Sequence, residues 1–182
     1  MKPLERLADR RGLALLVDPG RTTPAEGHAL AMRAQEEGVA LLLLGNSFGS
    51  DESAEALARA IKDGAPGLPL LQFPAHAAQL VAGVDGVLLL SLVSGRNAQY
   101  LIEEHVRAVP FFARHPEVGA VSTAYLLVDG GHVTSVEAVS QTRPLPADKP
   151  ELVGAHVRAA MMIGMRAVYL EAGSGARHCA KH

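Results

Sequence analysis

The chain has 182 residues, which is enough for one domain with a sizeable buried core. Apolar residues make up 48% of it and aromatic residues only 4%, so we expect a core of aliphatic side chains. The 17 basic residues nearly balance the 19 acidic ones, which leaves no overall charge to attract nucleic acid. Cys179 is the only cysteine, which excludes an internal disulfide framework. The charged N-terminal segment has no apolar signal region and no apolar run could span a bilayer, so we expect a soluble cytoplasmic protein.

Six short apolar runs predict six β-strands. Most of them lack polar alternation, as is typical of parallel strands that are buried on both faces. The runs are Leu13 to Val17, Val39 to Leu44, Leu68 to Phe73, Gly86 to Leu92, Ala124 to Val128 and Ala167 to Leu170.

Helical signals lie between most of these runs. Thr23-Pro24-Ala25-Glu26 reads as a capping box with Pro at the first helical position, and Gly38 is expected to end that helix. Apolar residues at helical spacing predict three more helices that face the core. They are Ala54, Leu57, Ala58 and Ile61, then Ile102, Val106 and Val109, then Val153, Val157, Ala160 and Met161.

Two gaps between strands differ from this pattern. Pro74 to Asp85 is too short for a long helix. His132 to Pro150 is a long, Pro-containing connection in which we expect a short strand or a loop before the next helix.

Alternation of strands and helices predicts an α/β fold in one domain. Six strands are enough for an open doubly wound sheet, whereas a (β/α) barrel has eight, so the strand count favours the open sheet. Each run is followed by polar or turn residues, however, and all of these would converge on the mouth of a barrel. The residues alone leave both architectures open.

The segment Tyr169-Leu170-Glu171-Ala172-Gly173-Ser174-Gly175-Ala176 is the strongest candidate for a site. Its strand leads into the Glu171 carboxylate, which is costly to desolvate there unless it has a partner or a chemical role. The Gly-Ser-Gly turn that follows has backbone N–H groups suited to a phosphate.

Two oxygen-bearing residues follow the first two strands. Asp18 precedes Pro19, and it is either a turn residue or an oxygen ligand for Mg²⁺. Ser47 either caps the helix that follows it or supplies a second oxygen to the same ion.

Three motifs in the same order resemble those of the geranylgeranylglyceryl phosphate synthase family, in the branch shared by bacteria and archaea. The resemblance extends from about Leu13 to Ala176. The motifs are Ser91-Leu92-Val93-Ser94-Gly95-Arg96-Asn97, then Gly130-Gly131 with Thr134 to Glu137 and Thr142 to Pro150, then Gly164-Met165-Arg166 leading into Tyr169 to Ala176.

The resemblance implies a TIM-type (β/α) barrel with one outer helix missing. Six of the eight strands are present here, so we expect residues 1–182 to form one incomplete barrel domain that lacks the last two βα units. The implied activity is Mg²⁺-dependent transfer of a geranylgeranyl or similar long prenyl group from its diphosphate to the free hydroxyl of sn-glycerol 1-phosphate, in ether phospholipid biosynthesis.

The resemblance also implies roles for residues. Mg²⁺ is expected on Asp18 and Ser47, and Glu171 is expected to act as the general base. Further implied partners are a second copy of the chain, in a homo-oligomer, and a membrane that it contacts peripherally through its lipid substrate. The segment expected to hold glycerol phosphate comprises Tyr169, Leu170, Glu171, Ala172, Gly173, Ser174 and Gly175.

Two departures from the family pattern keep alternatives open. Many members have Asp-Pro-Asp-Lys where this chain has Asp18-Pro19-Gly20-Arg21, and the family continues after Gly-Ser-Gly-Ala with two more βα units. The first alternative is therefore a catalytically impaired, truncated remnant with at most phosphate or Mg²⁺ binding. Another phosphate-binding barrel enzyme, such as an isomerase or lyase, would explain the alternation but not the motifs.

Overall fold

The computed structural model describes residues 12–45 and 53–173. Within them, strands and helices alternate along the chain. The strands are β1 (Ala14–Val17), β2 (Leu41–Leu44), β3 (Leu70–Gln72), β4 (Gly86–Leu92), β5 (Gly119–Leu127) and β6 (Ala167–Glu171). The helices are α1 (Pro24–Glu36), α2 (Ala54–Gly64), α3 (Glu104–Arg114), α4 (Ser135–Ser140) and α5 (Pro150–Met162), with a 3₁₀ turn at Ala77–Gln79 and a π-helical turn at Gln99–Glu103.

The six strands lie in one sheet in the order of the chain, β1-β2-β3-β4-β5-β6. The pairs β1–β2, β2–β3, β3–β4 and β5–β6 are parallel. A doubly wound sheet reverses its strand order at a switch point, whereas a (β/α) barrel does not. The predicted fold class, an α/β fold of the (β/α)-barrel type with six of eight strands, is therefore confirmed over the described residues.

The described chain forms two compact units. The first comprises residues 12–45, 53–88 and 107–121, and the second comprises residues 89–106 and 122–173. In the first unit, α1 and α2 approach closely at two glycines. A Cβ on Gly27 would overlap the Leu57 side chain, and one on Gly64 would lie 2.6 Å from the carbonyl oxygen of His28.

The local predictions for α1 and α2 are confirmed. The Thr23 side chain accepts the Glu26 backbone N–H at 3.3 Å, and the Glu26 carboxylate accepts the Thr23 N–H at 2.8 Å. Gly38 follows α1 with a φ of 74°, in the left-handed region that ends helices. The four apolar residues predicted to face the core from α2, Ala54, Leu57, Ala58 and Ile61, are all buried.

The connection after β3 has no long helix, as predicted, and two glutamines order it. Gln72 donates from Nε2 to the Gln79 carbonyl at 2.6 Å and accepts the Val81 N–H at 3.1 Å. Gln79 accepts the Ala75 N–H at 2.7 Å. Both side chains are buried, so they satisfy backbone groups that would otherwise lack partners.

An ion pair fixes the start of β4. Lys62 Nζ lies 2.8 Å from Asp85 Oδ2 and 3.1 Å from Oδ1. The same Oδ2 accepts the Leu70 N–H at 2.8 Å, so one carboxylate joins α2 to the beginnings of two strands.

In the second unit, β5, β6 and α5 enclose an aliphatic core. Its fully buried members are Ala124, Leu126, Val128, Leu145, Val153 and Ala160. Val157 and Val168 pack against this core from α5 and β6.

One strand, β5, and one connection, from 132 to 150, differ most from the prediction. β5 begins at Gly119, five residues before the predicted start at Ala124, because Gly119, Ser122 and Thr123 interrupt the apolar run on which the prediction was based. The connection from 132 to 150 contains the helix α4, which the sequence pattern did not predict because the helix has only six residues. The predicted short strand is reduced to a single bridge between Val128 and Leu145.

The prediction that Ile102, Val106 and Val109 face the core is wrong. These side chains are 55%, 63% and 62% exposed. Ala108 and Phe111, on another side of α3, are buried instead. In α5, Met161 is likewise half exposed rather than buried.

Among the helices of the described residues, none is long and apolar enough to cross a membrane.

Candidate active site

Glu171 is the last residue of β6, and its carboxylate is held by a side chain from β5. Tyr125 and Tyr169 are register partners, as are Leu127 and Glu171. Since residues two apart in a strand share a face, the Tyr125 hydroxyl can reach diagonally across to Glu171. The distance between Tyr125 Oη and Glu171 Oε2 is 2.7 Å.

The environment of this hydrogen bond keeps the phenol protonated. Tyr125 is only 8% exposed. Burial, and next the negative charge of Glu171, raise the pKa of Tyr125 well above its usual value of about 10. Burial and the same charge also raise the pKa of Tyr169. Tyr125 therefore donates, and the Glu171 carboxylate accepts.

An aromatic cluster surrounds the pair. The rings of Tyr125 and Tyr169 meet edge to face, with centroids 5.6 Å apart. Tyr100 packs against the same cluster, so all three tyrosines of the chain are gathered here. Leu92, Leu127 and Val136 complete its apolar surroundings.

Sequence reasoning missed Tyr125. Its side chain lies within an apolar run, where a tyrosine is an ordinary core residue. The available signal was the scarcity of tyrosine in the chain, but the contact with Glu171 depends on the register between β5 and β6, which a single sequence does not reveal.

The segment after Glu171 is fixed by a close backbone contact. Gly173 has a φ of 90°, and a Cβ built on it would lie 2.5 Å from both Cβ and Oγ1 of Thr134. Thr134 caps α4 by accepting the Glu137 N–H at 3.4 Å. The structure thus brings Tyr169, Leu170, Glu171, Ala172 and Gly173 together in one ordered segment, whereas Ser174 and Gly175 lie outside the described residues.

The polar residues after β4 mostly join backbone segments within the second unit. Ser91 donates to the Leu101 carbonyl at 3.0 Å, beside the π-helical turn. Ser94 accepts the Leu127 N–H at 3.0 Å, and Asn97 donates to the Ser140 carbonyl at 3.0 Å. These side chains position the loops around the tyrosine cluster.

Asp18 belongs to the first unit, where it begins the turn after β1. Its Oδ1 accepts the Gly20 N–H at 2.9 Å, and its Oδ2 lies 3.6 Å from Arg21 Nε. The turn role considered for Asp18 is therefore realised, and its side chain stays 36% exposed, which leaves the carboxylate open to a ligand. Ser47, the other predicted metal ligand, lies outside the described residues. No group of three or more His, Cys, Asp or Glu that could hold a metal ion occurs among the described residues.

Comparison with known proteins identifies the family. A family model described as the PcrB family matches residues 6–181. Geranylgeranylglyceryl phosphate synthase of Zunongwangia profunda is 38% identical over 168 residues, which cover 92% of this chain and 70% of that protein. The protein of the same name from Spirosoma linguale is 35% identical over 172 residues, which cover 94% of this chain and 68% of that protein.

The solved structures agree with these relatives. (S)-3-O-geranylgeranylglyceryl phosphate synthase from Thermoplasma acidophilum, in complex with its substrate sn-glycerol-1-phosphate, superposes with a TM-score of 0.84 at 27% identity, over 97% of this chain and 70% of that one. The wild-type enzyme of Thermoplasma volcanium gives a TM-score of 0.84 at 24% identity, over 96% of this chain and 69% of that one, and shows the same fold. The chain is therefore a member of the PcrB family, and the matched relatives named above are geranylgeranylglyceryl phosphate synthases.

Proposed function

We propose that this chain transfers a geranylgeranyl group, or a similar long prenyl group, from its diphosphate to the free hydroxyl of sn-glycerol 1-phosphate. The observation that carries the proposal is the Glu171 carboxylate at the carboxyl end of β6, held at 2.7 Å by the buried Tyr125 hydroxyl. The names of the matched relatives, and the substrate bound in the Thermoplasma acidophilum structure, support the choice of acceptor and product.

In the reaction, the hydroxyl oxygen of sn-glycerol 1-phosphate forms a bond to the first carbon of the prenyl chain. The bond between that carbon and the diphosphate oxygen breaks, and the diphosphate leaves with the bonding electrons. The hydroxyl proton passes to Glu171, which acts as the general base. Glu171 suits this task because Tyr125 occupies only one of its two carboxylate oxygens.

The acceptor is held by the segment from Tyr169 to Gly175. Gly173 supports this assignment, since its backbone lies against Thr134 and leaves no space for a side chain. A backbone with exposed N–H groups at such a turn binds phosphate oxygens well. Ser174 and Gly175 are proposed to extend the same site.

Mg²⁺ is proposed as the cofactor, with Asp18 and Ser47 as its protein ligands. The described residues fit such an ion, because Mg²⁺ usually takes one or two protein oxygens together with water and substrate phosphates. Asp18 offers one partly exposed carboxylate whose remaining contacts are with Gly20 and Arg21. When bound, the ion neutralises charge on the departing diphosphate.

The same proposal includes a cytoplasmic homo-oligomer that contacts membranes peripherally through its lipid substrate. The exposed apolar side chains Ile102, Val106 and Val109 on and beside α3 support association between copies. Light scattering on the purified protein should report a mass above that of one chain, and a monomer at micromolar concentration would contradict this part.

The test is a transfer assay with purified protein, Mg²⁺, sn-glycerol 1-phosphate and radiolabelled geranylgeranyl diphosphate. We expect an extractable prenylated product, and a loss of about 100-fold or more in Glu171→Ala because general-base catalysis typically contributes that much. Glu151→Ala is the matched control, since it removes an exposed carboxylate from α5 and should leave the rate unchanged.

Two results would contradict the proposal. One is no product above the Glu171→Ala level. The other is binding of sn-glycerol 1-phosphate or Mg²⁺ without turnover, which would support the impaired remnant instead. Isothermal titration with each ligand separates these two results.

A further inference from the structure

We propose that Tyr125 is a positioning residue for Glu171: its hydroxyl fixes Oε2 of the carboxylate and thereby directs Oε1 toward the acceptor hydroxyl. The inference rests on the proposed role of Glu171 as the base and deepens it. It assigns a function to a buried β5 residue that lies outside the Tyr169 to Gly175 segment.

The direction of the hydrogen bond follows from the chemistry of the two groups. An ionised carboxylate only accepts, so the phenol must donate across the 2.7 Å between Tyr125 Oη and Glu171 Oε2. Hydrogen bonds to a charged acceptor are short and about twice as strong as neutral ones. This bond therefore stabilises the ionised form of Glu171, which is the form that can take a proton.

The position of the donor is itself fixed. Tyr125 is 8% exposed, and its ring meets Tyr169 edge to face at 5.6 Å. Leu92 and Leu127 pack in the same cluster. Because the ring has no space to swing away, the hydroxyl holds the carboxylate at one orientation.

Among the described residues of β5 and β6, the titratable groups beside Glu171 are the phenols of Tyr125 and Tyr169. Tyr125 approaches from β5, and Tyr169 lies two residues away on β6, where the charge of Glu171 contributes to raising its pKa. Both phenols stay neutral near pH 7, so the hydrogen bond, rather than an opposite charge, is the contact that Tyr125→Phe removes.

The first test is the steady-state kinetics of Tyr125→Phe. Loss of one hydrogen bond to a charged group should lower kcat by roughly 10- to 100-fold. We expect the KM for sn-glycerol 1-phosphate to change by less than about threefold, because the phosphate contacts are retained. Tyr100→Phe is the matched control, since it removes one hydroxyl from the same cluster and should leave kcat within about twofold.

The pH profile separates positioning from packing. Without the donor, the ionised carboxylate is less favoured, so the acidic limb of kcat/KM should move to higher pH. A lower rate with an unmoved limb would mean that Tyr125 only supports the fold, and would overturn the inference.

A second measurement does not depend on turnover. Carbon-13 NMR of protein labelled at glutamate carboxyls, with the signal assigned by Glu171→Gln, should show a changed Glu171 carboxyl chemical shift in Tyr125→Phe, because the hydrogen bond to Oε2 is lost. An unchanged chemical shift overturns the positioning role. A wild type that forms no prenylated product overturns the proposed function alone, and the chemical shift then decides the role of Tyr125.

If Tyr125→Phe does not fold, 3-fluorotyrosine at position 125 replaces it. This residue keeps the ring and the hydroxyl but is a more acidic, stronger donor, so the Glu171 carboxyl signal should move relative to that of the wild type. An unmoved signal overturns the inference.

Discussion

Replacing Gly173 by alanine should lower the free energy of unfolding for two reasons, an unfavourable backbone conformation and a steric overlap with Thr134. The backbone of Gly173 has a φ of 90°, which costs a residue with a side chain about 1–2 kcal/mol. The new Cβ would also lie 2.5 Å from Cβ and Oγ1 of Thr134, an overlap typical of overpacking substitutions that cost about 1–3 kcal/mol. Gly164→Ala is the matched control, because Gly164 has a φ of 93° but a Cβ added there would meet no atom within 4 Å. It should show the backbone cost alone.

The assay is urea unfolding of both variants, with the KM for sn-glycerol 1-phosphate measured in parallel. We expect Gly173→Ala to lose about 1–3 kcal/mol more unfolding free energy than Gly164→Ala, or to raise KM if the segment moves instead. Thr134→Ser removes the methyl group that a Cβ at 173 would meet most closely, so it should restore part of the loss in the double variant. Equal losses in the two glycine variants, with no rescue and an unchanged KM, would refute the reasoning.

Three further predictions follow from the described contacts. Asp18→Asn keeps an oxygen that can accept the Gly20 N–H but removes the negative charge. The Mg²⁺ concentration for half-maximal activity should therefore rise about tenfold or more, while the melting temperature stays unchanged. An unchanged Mg²⁺ requirement would argue against Asp18 as a ligand. Lys62→Met should lower the free energy of unfolding in urea by about 1–2 kcal/mol, because it leaves Asp85 without its cation. Arg59→Met removes one partner of an exposed ion pair and should lower it by less than about 0.5 kcal/mol. Equal losses in the two variants would contradict this prediction. The pKa values of Tyr125 and Tyr169 are raised in the folded state, so the free energy of unfolding should be retained below about pH 10 and should fall above it. This fall with pH should be less steep in Tyr125→Phe. The same pH dependence in the variant and the wild type would exclude Tyr125 as a cause.

Features set by neighbours in sequence could be predicted from the sequence. The capping box at Thr23 and Glu26 depends on residues three apart, and the buried face of α2 depends on a period of 3.6 residues. The runs of apolar residues located all six strands because parallel strands are buried on both faces. Glu171 became a candidate for a similar reason, since a carboxylate at the end of such a run is unusual.

Features set by contacts across the chain could not be predicted in the same way. The exposed positions of Ile102 and Val106 depend on which face of the helix packs against the rest of the protein, and helical spacing alone did not identify that face. The first residues of β5 were missed because Gly119, Ser122 and Thr123 interrupt the apolar pattern there. Tyr125 is the clearest case, because its role depends on the β5–β6 register that aligns it with Tyr169.

The polar residues around the candidate site divide into two groups by what their side chains bond to. Ser91, Ser94 and Asn97 each bond to a backbone group of another segment, so their hydrogen-bonding capacity is largely used in positioning loops. Glu171 differs, since its described side-chain partner is a phenol that engages one of its two oxygens. Tyr125 engages Oε2 and not Oε1, and a carboxylate can accept a proton, which supports the proposal of Glu171 rather than these serines or the asparagine as the base.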